Sequence, residues 1–412
     1  MRRRTILALG GAVVPAAAAL PGRAEAGRPS RRESWRHTWT AMPQLTEPHN
    51  LPPAPFAALA DTTLRQTVHV TIGGRRLRVR FSNAFGTGPL PITAVSVGLP
   101  LGGRAGVPAV EPGSVRPLTF GGRPSVVVPV GAQIVSDPVS LPVPAAANLT
   151  ISAYLATGLT GDAVTGHPGS RTTSYLLKGE HNAEPDLPGA VPADHWYLIS
   201  AVEVQATEAT AALAIVGDSL TDGRGSTTNG NDRWPDQLFA RGSKVAVLNQ
   251  AAGGNRVLND GLGPNVLARL DRDVLAVGGV DRMLLFEGVN DIGTAEATEQ
   301  AQKQVVDDLL VAYDQIVLRA HAAGLTAYGA TLTPFGGNTG YDDPAGLRRR
   351  SRRTVNEAVH RIFDGVADFD AAARDPSAPE TLLPAYDTGD HLHLNPAGYA
   401  ALAQAVPRHL IR

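Results

Sequence analysis

The 412-residue chain has no cysteine. That excludes a disulfide framework, a thiol nucleophile, a cysteine-ligated zinc and an iron–sulfur cluster. Aromatic residues are scarce at 5%, and neither sign of charge prevails, the formal net charge being −1. A chain so balanced has no general attraction for nucleic acid or an anionic membrane. No stretch beyond the first twenty or so residues is apolar for long enough to span a bilayer. What is plentiful is glycine (44) and proline (32), which implies many turns, and a hydrophobic share of 43%, which suffices for a sizeable core and excludes global disorder. The length allows two or three domains.

Part of the charge balance sits at the start. Arg2-Arg3-Arg4 precedes Thr5-Ile6-Leu7 and an Ala/Val-rich stretch to about Leu20, followed by Ala24-Glu25-Ala26, a small-x-small cleavage pattern. A positive start, a short apolar segment and such a site read as an export signal over residues 1–26 rather than a membrane span. The arginine pair resembles a twin-arginine signal, while the missing Ser/Thr ahead of it leaves the general secretory route open. Removing Met1–Ala26 leaves 33 basic and 37 acidic residues. The mature protein is then mildly acidic, and expected outside the cell.

Two textures follow. From about 33 to 205 the chain reads as strands. Val68, Val70 and Ile72 alternate with polar residues, Gly73-Gly74 offers a tight turn, and Leu77, Val79 and Phe81 alternate with Arg76, Arg78 and Arg80, which predicts a hairpin with one wet face. Val95–Leu99, Val126–Val130, Ile134–Leu141 and Leu149–Leu155 continue the period of two. Many short strands without amphipathic helices predict an all-β sandwich or jelly-roll-like domain. From Ala211 to the end, short apolar strands alternate with helices: Ala211–Val216, Lys244–Leu248, Met283–Phe286, Thr326–Leu332 and Val366–Phe369 as strands, and Trp234–Arg241, Val266–Leu275, Glu296–Ala323, Leu347–Phe363 and Pro396–Ile411 as helices. This predicts a doubly wound α/β domain over 211–412 with a mostly parallel sheet, whose ligands belong beyond the carboxyl ends of the strands.

The residues at those ends carry chemistry. Gly217-Asp218-Ser219-Leu220-Thr221 follows the first α/β strand; with no thiol in the chain, a hydroxyl is the nucleophile available, and it needs a base. Asp390-His391-Leu392-His393 lies just before the last helix, and its spacing lets Asp390 hold one nitrogen of His393 while the other faces Ser219. The Gly-x-Ser-x-Gly elbow of α/β-hydrolases is absent. Acyl transfer also needs donors for an oxyanion. Ala251-Ala252-Gly253-Gly254-Asn255 and Gly288-Val289-Asn290-Asp291, after the second and third strands, supply a glycine backbone and a side-chain amide.

The blocks Gly217–Leu220, Gly254, Gly288-Val289-Asn290-Asp291 and Asp390-x-x-His393, in this order, resemble the SGNH or GDSL hydrolase family. The resemblance covers about Ala211–Arg412 and extends more loosely to larger secreted bacterial members with a β-rich front domain. It implies a three-layer α/β/α fold and metal-free serine ester hydrolysis. Ser219 would be nucleophile and oxyanion donor, Gly254 and Asn290 further oxyanion donors, His393 base then acid, and Asp390 its orienting partner. No cofactor is implied.

Other features have blander readings. Asp218 and Asp291 are expected to cap backbone N–H groups. His391-x-His393 with Asp390 is too thin for a metal site. Asp387 rivals Asp390 only in sequence proximity. The basic run Arg348–Arg353 reads as a solvated helix face, and Trp234 as packing beside the serine loop. His167, His181 and His195 show no ligand spacing. The expectation is a secreted two-domain serine esterase, its substrate a short-acyl or O-acetyl ester of a carbohydrate, with glycan contact by the β-rich domain. Lipid esters, as for a lipase or phospholipase, are the alternative. A glycan- or surface-binding protein on a hydrolase scaffold is a third reading.

Overall fold

The structure is a computed structural model that describes residues 33–207 and 210–412. The leader expected over 1–26 lies outside the described residues. Residues 33–412 form one compact unit with two main hydrophobic cores.

The first core lies between two antiparallel sheets. One runs Glu33–Thr40, Ile199–Thr207, Gly74–Ser82, Val139–Val143, with Gln133–Val135 also paired to Gly74–Ser82; the other runs Val191–Ala193, Ser174–Lys178, Thr62–His69, Asn148–Leu155, Ala94–Gly98, Arg116–Leu118. Leu77, Val79 and Phe81 from the first sheet meet Leu64, Val68, Val95, Val97 and Ile151 from the second. A small third sheet joins Trp196–Tyr197, Thr165–His167 and Gln44–Leu45.

The hairpin expected around Gly73-Gly74 is not formed. Thr62–His69 and Gly74–Ser82 belong to different sheets, and the glycine pair is a crossover pressed against the chain at Val143, where a Cβ on Gly73 would come 2.6 Å from a carbonyl oxygen. The polar residues between the apolar ones misled because both sides of Thr62–His69 are covered. Arg65 is buried, donating to Ser152 Oγ (2.9 Å) and the carbonyls of Pro108 (2.6 Å) and Glu184 (2.7 Å), and Gln66 is tied to the Tyr197 backbone by bonds of 2.7 and 3.0 Å. On Thr62–His69 alternation therefore marked a buried polar layer, whereas Gly74–Ser82 has the expected wet face, with Arg76 exposed and Arg78 and Arg80 partly so.

The second core belongs to a three-layer α/β/α domain. The five strands of its central sheet are all parallel, in the order Ala246–Asn249, Ala212–Gly217, Val280–Phe286, Thr326–Ala330, Gly365–Ala367. Ala212–Gly217 is buried on both faces, as a central parallel strand must be. Helices Trp234–Ala240 and Pro396–Ala405 pack together, as do Glu299–Ala322 and Leu347–Ile362. The last predicted helix stops at Ala405, ahead of Pro407, and a 3-10 turn over Arg408–Ile411 finishes it. The basic run is not a free solvated face. Arg352 is buried against Asp370 and Glu380, Arg349 pairs with Asp342, Arg350 with Glu299 and Arg353 with Glu380, while Arg348 donates to Ala295 O (2.7 Å). These arginines tie the helix to the elements and loops around it.

Strand order reverses at Ala212–Gly217, which has the second strand on one side and the third on the other. That switch point opens a crevice at the strands' carboxyl ends. The β-rich half meets the same region. Strand Glu33–Thr40 packs on edge strand Ala246–Asn249, Thr40 Oγ1 donates to Asn249 O (3.0 Å), and Ile72 packs against both cores.

Candidate active site

Gly217 ends the central strand, and a single helical turn, Ser219–Asp222, begins at once. Asp218 caps it: Oδ1 accepts the Leu220 N–H (2.9 Å) and its carbonyl accepts those of Thr221 (3.0 Å) and Asp222 (2.8 Å). The cap does not use the Ser219 N–H, one of the donors a helix start leaves over. The expected capping role of Asp218 is what the geometry displays, and Asp291 likewise accepts the N–H groups of Val257 (2.9 Å) and Leu258 (3.0 Å).

Ser219 Oγ lies 2.8 Å from His393 Nε2, and His393 Nδ1 lies 2.6 Å from Asp390 Oδ2. Ser219 and His393 are buried, and Asp390 is half-exposed. The turn before the last helix holds this carboxylate in place: Oδ1 accepts the backbone N–H groups of Leu392 (3.0 Å) and His393 (2.8 Å) and the Thr388 hydroxyl (3.0 Å). Burial alone would push the Asp390 carboxyl up; the His393 N–H, the His393 ring and the Leu392 N–H outweigh it and hold the group well below the usual carboxylate range. An ionised Asp390 fixes the proton on Nδ1, so Nε2 presents a lone pair to the serine hydroxyl. The rival Asp387 binds His391 instead, Oδ2 to Nδ1 at 2.6 Å.

Burial pulls the His393 pKa down, Asp390 pulls it up, and the guanidiniums of Arg224 and Arg171 pull it down again; the net position is below the ordinary 6.5. The ring is thus ready as a neutral base near neutral pH. Beneath the site Asp218 is fully buried, and burial together with Asp291 and Asp222 pushes its carboxyl up to about 7, against the Leu220 N–H.

Two further turns bring in donors. Gly254 takes a left-handed backbone, φ 71°, in the turn after the second strand. The N–H of Gly253 goes to Asp222 Oδ2 (3.1 Å) and that of Asn255 to Ala252 O (3.2 Å), and neither bond uses the Gly254 N–H between them. Asn290 Nδ2 donates to Asn255 O (2.8 Å) while its Oδ1 accepts the Tyr341 hydroxyl (2.5 Å). A primary amide has two N–H bonds, so one stays available. The Asn255 bond ties Asn290 to the glycine turn; Asp222 and the Asn249 amide, donating to Thr221 O (3.0 Å), tie that turn to the serine helix. Such an arrangement can deliver a serine oxygen to an electrophilic carbon, move its proton, and stabilise negative charge.

Residues 215–401 match the model of the GDSL-like lipase/acylhydrolase family. This chain carries a GDSL-type serine ester hydrolase domain. A comparison with curated proteins returns no match. Among solved structures, the chain is similar to Axe2, an acetylxylan esterase from Geobacillus stearothermophilus, at 21% identity and TM-score 0.36, covering 50% of this chain and 96% of that one. It is similar to LAE5, an α/β hydrolase enzyme from the metagenome of Lake Arreo, Spain, at 20% identity and TM-score 0.35, covering 49% and 97%. A GDSL-like lipase from Bacteroides thetaiotaomicron VPI-5482 matches at 15% identity and TM-score 0.34, covering 48% and 87%.

Around the GDSL site stand residues that sequence patterns did not single out. Tyr341, from a loop far along the chain, orients the Asn290 amide, and Gly293 leaves room for its ring: a Cβ there would meet it at 2.5 Å. Leu262, 44% exposed, leans over Gly254. Arg171, from the β-rich half, has a left-handed backbone (φ 51°) and a buried Nε without a partner, and neither its guanidinium nor that of Arg224 meets a carboxylate among the described residues. Only Asp222, three residues after Ser219, carried a positional hint. Trp234 is fully buried, its Nε1 donating to Thr221 Oγ1 (3.2 Å), so it supports the serine helix and does not line the site.

Proposed function

We propose that this chain is an exported esterase that cleaves short-acyl or O-acetyl esters of polar alcohols such as carbohydrates through an acyl-enzyme on Ser219. The observation that carries the reading is the continuous hydrogen-bonded row Ser219–His393–Asp390 at the switch point of the parallel sheet. Ser219 Oγ attacks the ester carbonyl carbon while His393 Nε2 takes its proton. The oxyanion receives hydrogen bonds from the N–H groups of Ser219 and Gly254 and from the Asn290 amide. The C–O bond to the alcohol breaks, and His393 returns the proton to the leaving oxygen. Water then attacks the acyl-enzyme along the same route, and Ser219 regains its proton.

The rim supports the substrate class. Arg171, Arg224 and the Tyr341 hydroxyl make it polar, which suits a hydroxyl-rich leaving group, and Leu262 offers a limited apolar surface to a short acyl chain. The cleavage pattern at Ala24-Glu25-Ala26 supports export. The test is a chain-length series of nitrophenyl esters run beside acetylated xylan, with Ser219→Ala as control. Fastest turnover of acetyl and propionyl esters, release of acetate from the polysaccharide, and covalent labelling by a serine-directed probe that is lost in Ser219→Ala are the expected results. A steep preference for acyl chains of about eight carbons or more would favour lipid esters instead. The N-terminal sequence of protein recovered from the culture medium tests the leader, with Gly27 expected first.

A further inference from the structure

The β-rich half reaches into the hydrolase through one buried side chain. His167 ends the short strand Thr165–His167, where Gly166 and His167 pair with Tyr197 and Trp196, and Thr165 and Gly166 pair with Leu45 and Gln44. Its ring stacks on Trp196 at 5.8 Å with 28° between the planes. Nδ1 lies 2.9 Å from Met42 O and Nε2 lies 2.9 Å from Asp222 Oδ1. A carbonyl only accepts, so Nδ1 carries a proton, and the second contact holds one more proton between ring and carboxyl. Both side chains are almost wholly buried, where an unpaired carboxylate would be costly.

The far oxygen of Asp222 does something different. Oδ2 accepts the N–H of Gly253, the residue just before Gly254. The same carboxyl group thus joins strand Thr165–His167 to the glycine turn. The neighbouring loop is shaped for it: a Cβ on Gly169 would fall 1.7 Å from Asp222 Oδ2. Among the described residues, no other hydrogen bond from the β-rich half leads to the residue beside a proposed oxyanion donor.

We propose that His167 is a positioning residue of the active site, acting through Asp222 to hold the Gly253–Gly254 turn, and with it the Gly254 N–H, where the oxyanion forms. The inference rests on the reading of Ser219 as nucleophile and Gly254 as donor. It makes the β-rich half a working part of the catalytic centre, because the carboxylate that sets the glycine turn takes its own orientation from outside the hydrolase domain. An oxyanion hole needs its donors placed before the reaction, and a displacement of the order of 1 Å is enough to cost about 10²-fold.

The experiment compares the full chain with His167→Phe, His167→Gln and Gly169→Ala on nitrophenyl acetate and on its thionoester. In the thionoester the developing charge falls on sulfur, a weak acceptor of N–H bonds. Phenylalanine keeps the stack on Trp196 but loses the donor; glutamine restores a donor to Asp222; the alanine methyl displaces Asp222 while leaving His167 intact. The expected result is a fall of about 10- to 100-fold in kcat on the oxygen ester for His167→Phe and Gly169→Ala, with KM little changed. The preference for ester over thionoester shrinks with it, and His167→Gln recovers most of the loss. Equal losses on ester and thionoester, or wild-type turnover by folded His167→Phe, overturn the proposal. If His167→Phe does not fold, Gly169→Ala and His167→Gln decide by the same ratio. Ser219→Ala separates the two levels: normal turnover in that variant removes the serine mechanism itself, whereas a dead Ser219→Ala beside a fully active His167→Phe removes only the role of His167.

Discussion

The two halves bury polar residues for different ends. In the β-rich half the largest buried polar side chains are held by one another and by backbone. Arg65 ends on four neighbours, Ser152 and the carbonyls of Pro108, His181 and Glu184, and Glu203 holds Arg78 and Arg80. In the α/β half the buried acids crowd beneath the serine turn. Asp218 is raised by burial and by its acidic neighbours, and burial with Asp218 beside it pushes Glu287 well above the ordinary carboxyl range, against Arg269. The first half spends polarity on a fixed shape; the second stores perturbed titratable groups where chemistry is done. His167–Asp222 is the point at which one practice meets the other.

The sharpest way to break this contrast is to remove the groups proposed to react. Ser219→Ala and His393→Ala should each lower kcat by about 10⁴-fold or more while leaving the melting temperature near that of wild type, measured by ester turnover and thermal denaturation. Asn290→Ala should lose about 10²–10³-fold in kcat with the fold intact. Unchanged turnover there would take the amide out of the mechanism. In stability the halves should behave alike. Leu64→Ala and Leu284→Ala, one fully buried in each core, should each cost about 2–5 kcal/mol. Calorimetry should show one transition for both, since the cores share Ile72 and a packed strand interface; two separated transitions would mark the halves as independent.

Smaller effects come from pH. Only the neutral His393 ring can take the serine proton, so kcat/KM should fall as pH drops through its pKa, with a midpoint below 6.5. Arg224→Ala or Arg171→Ala removes a cation that disfavours the charged ring, so the midpoint should move to higher pH in a rate profile. Asp218 gives the least conspicuous signal. Its carboxyl titrates at 3.8 unperturbed and at about 7 when folded, so the protonated form is favoured by folding. The stability it contributes is whole below the unfolded value and is lost as pH rises towards the folded one. Asp218→Asn, which keeps an acceptor for Leu220, should therefore show a flatter melting temperature between about pH 4 and about pH 7 than wild type.

The parts readable in advance were those with a short local cause. Apolar strands ending in Gly-Asp-Ser or Gly-x-Asn-Asp announce a parallel sheet and its open edge, and Asp390 three residues before His393 is a local spacing that the turn realises directly. The misreadings came from partners distant in sequence. The strand around Arg65 looks half-wet until the loops carrying Pro108 and Glu184 cover it. The arginines at 348–353 look solvated until Asp370 and Glu380 fold back onto them. His167 has no neighbour in sequence that hints at Asp222, 55 positions later, and Tyr341 has none that hints at Asn290.

Strand Glu33–Thr40 has a consequence for how the chain is made. Its ladder partner is Ile199–Thr207, with Trp35 opposite Gln205 and Trp39 opposite Val202, and its other neighbour is Ala246–Asn249. A ribosome releases this strand ahead of the other strands of the sandwich and its ladder partner some 160 residues later, so it waits unpaired through most of the synthesis of the sandwich. Closing so long a loop is paid in chain entropy before any contact rewards it, which makes this pairing a late event in folding. The stretch with Trp35 and Trp39 therefore reaches its final place only after both the strand Ile199–Thr207 and the edge strand Ala246–Asn249 have been made.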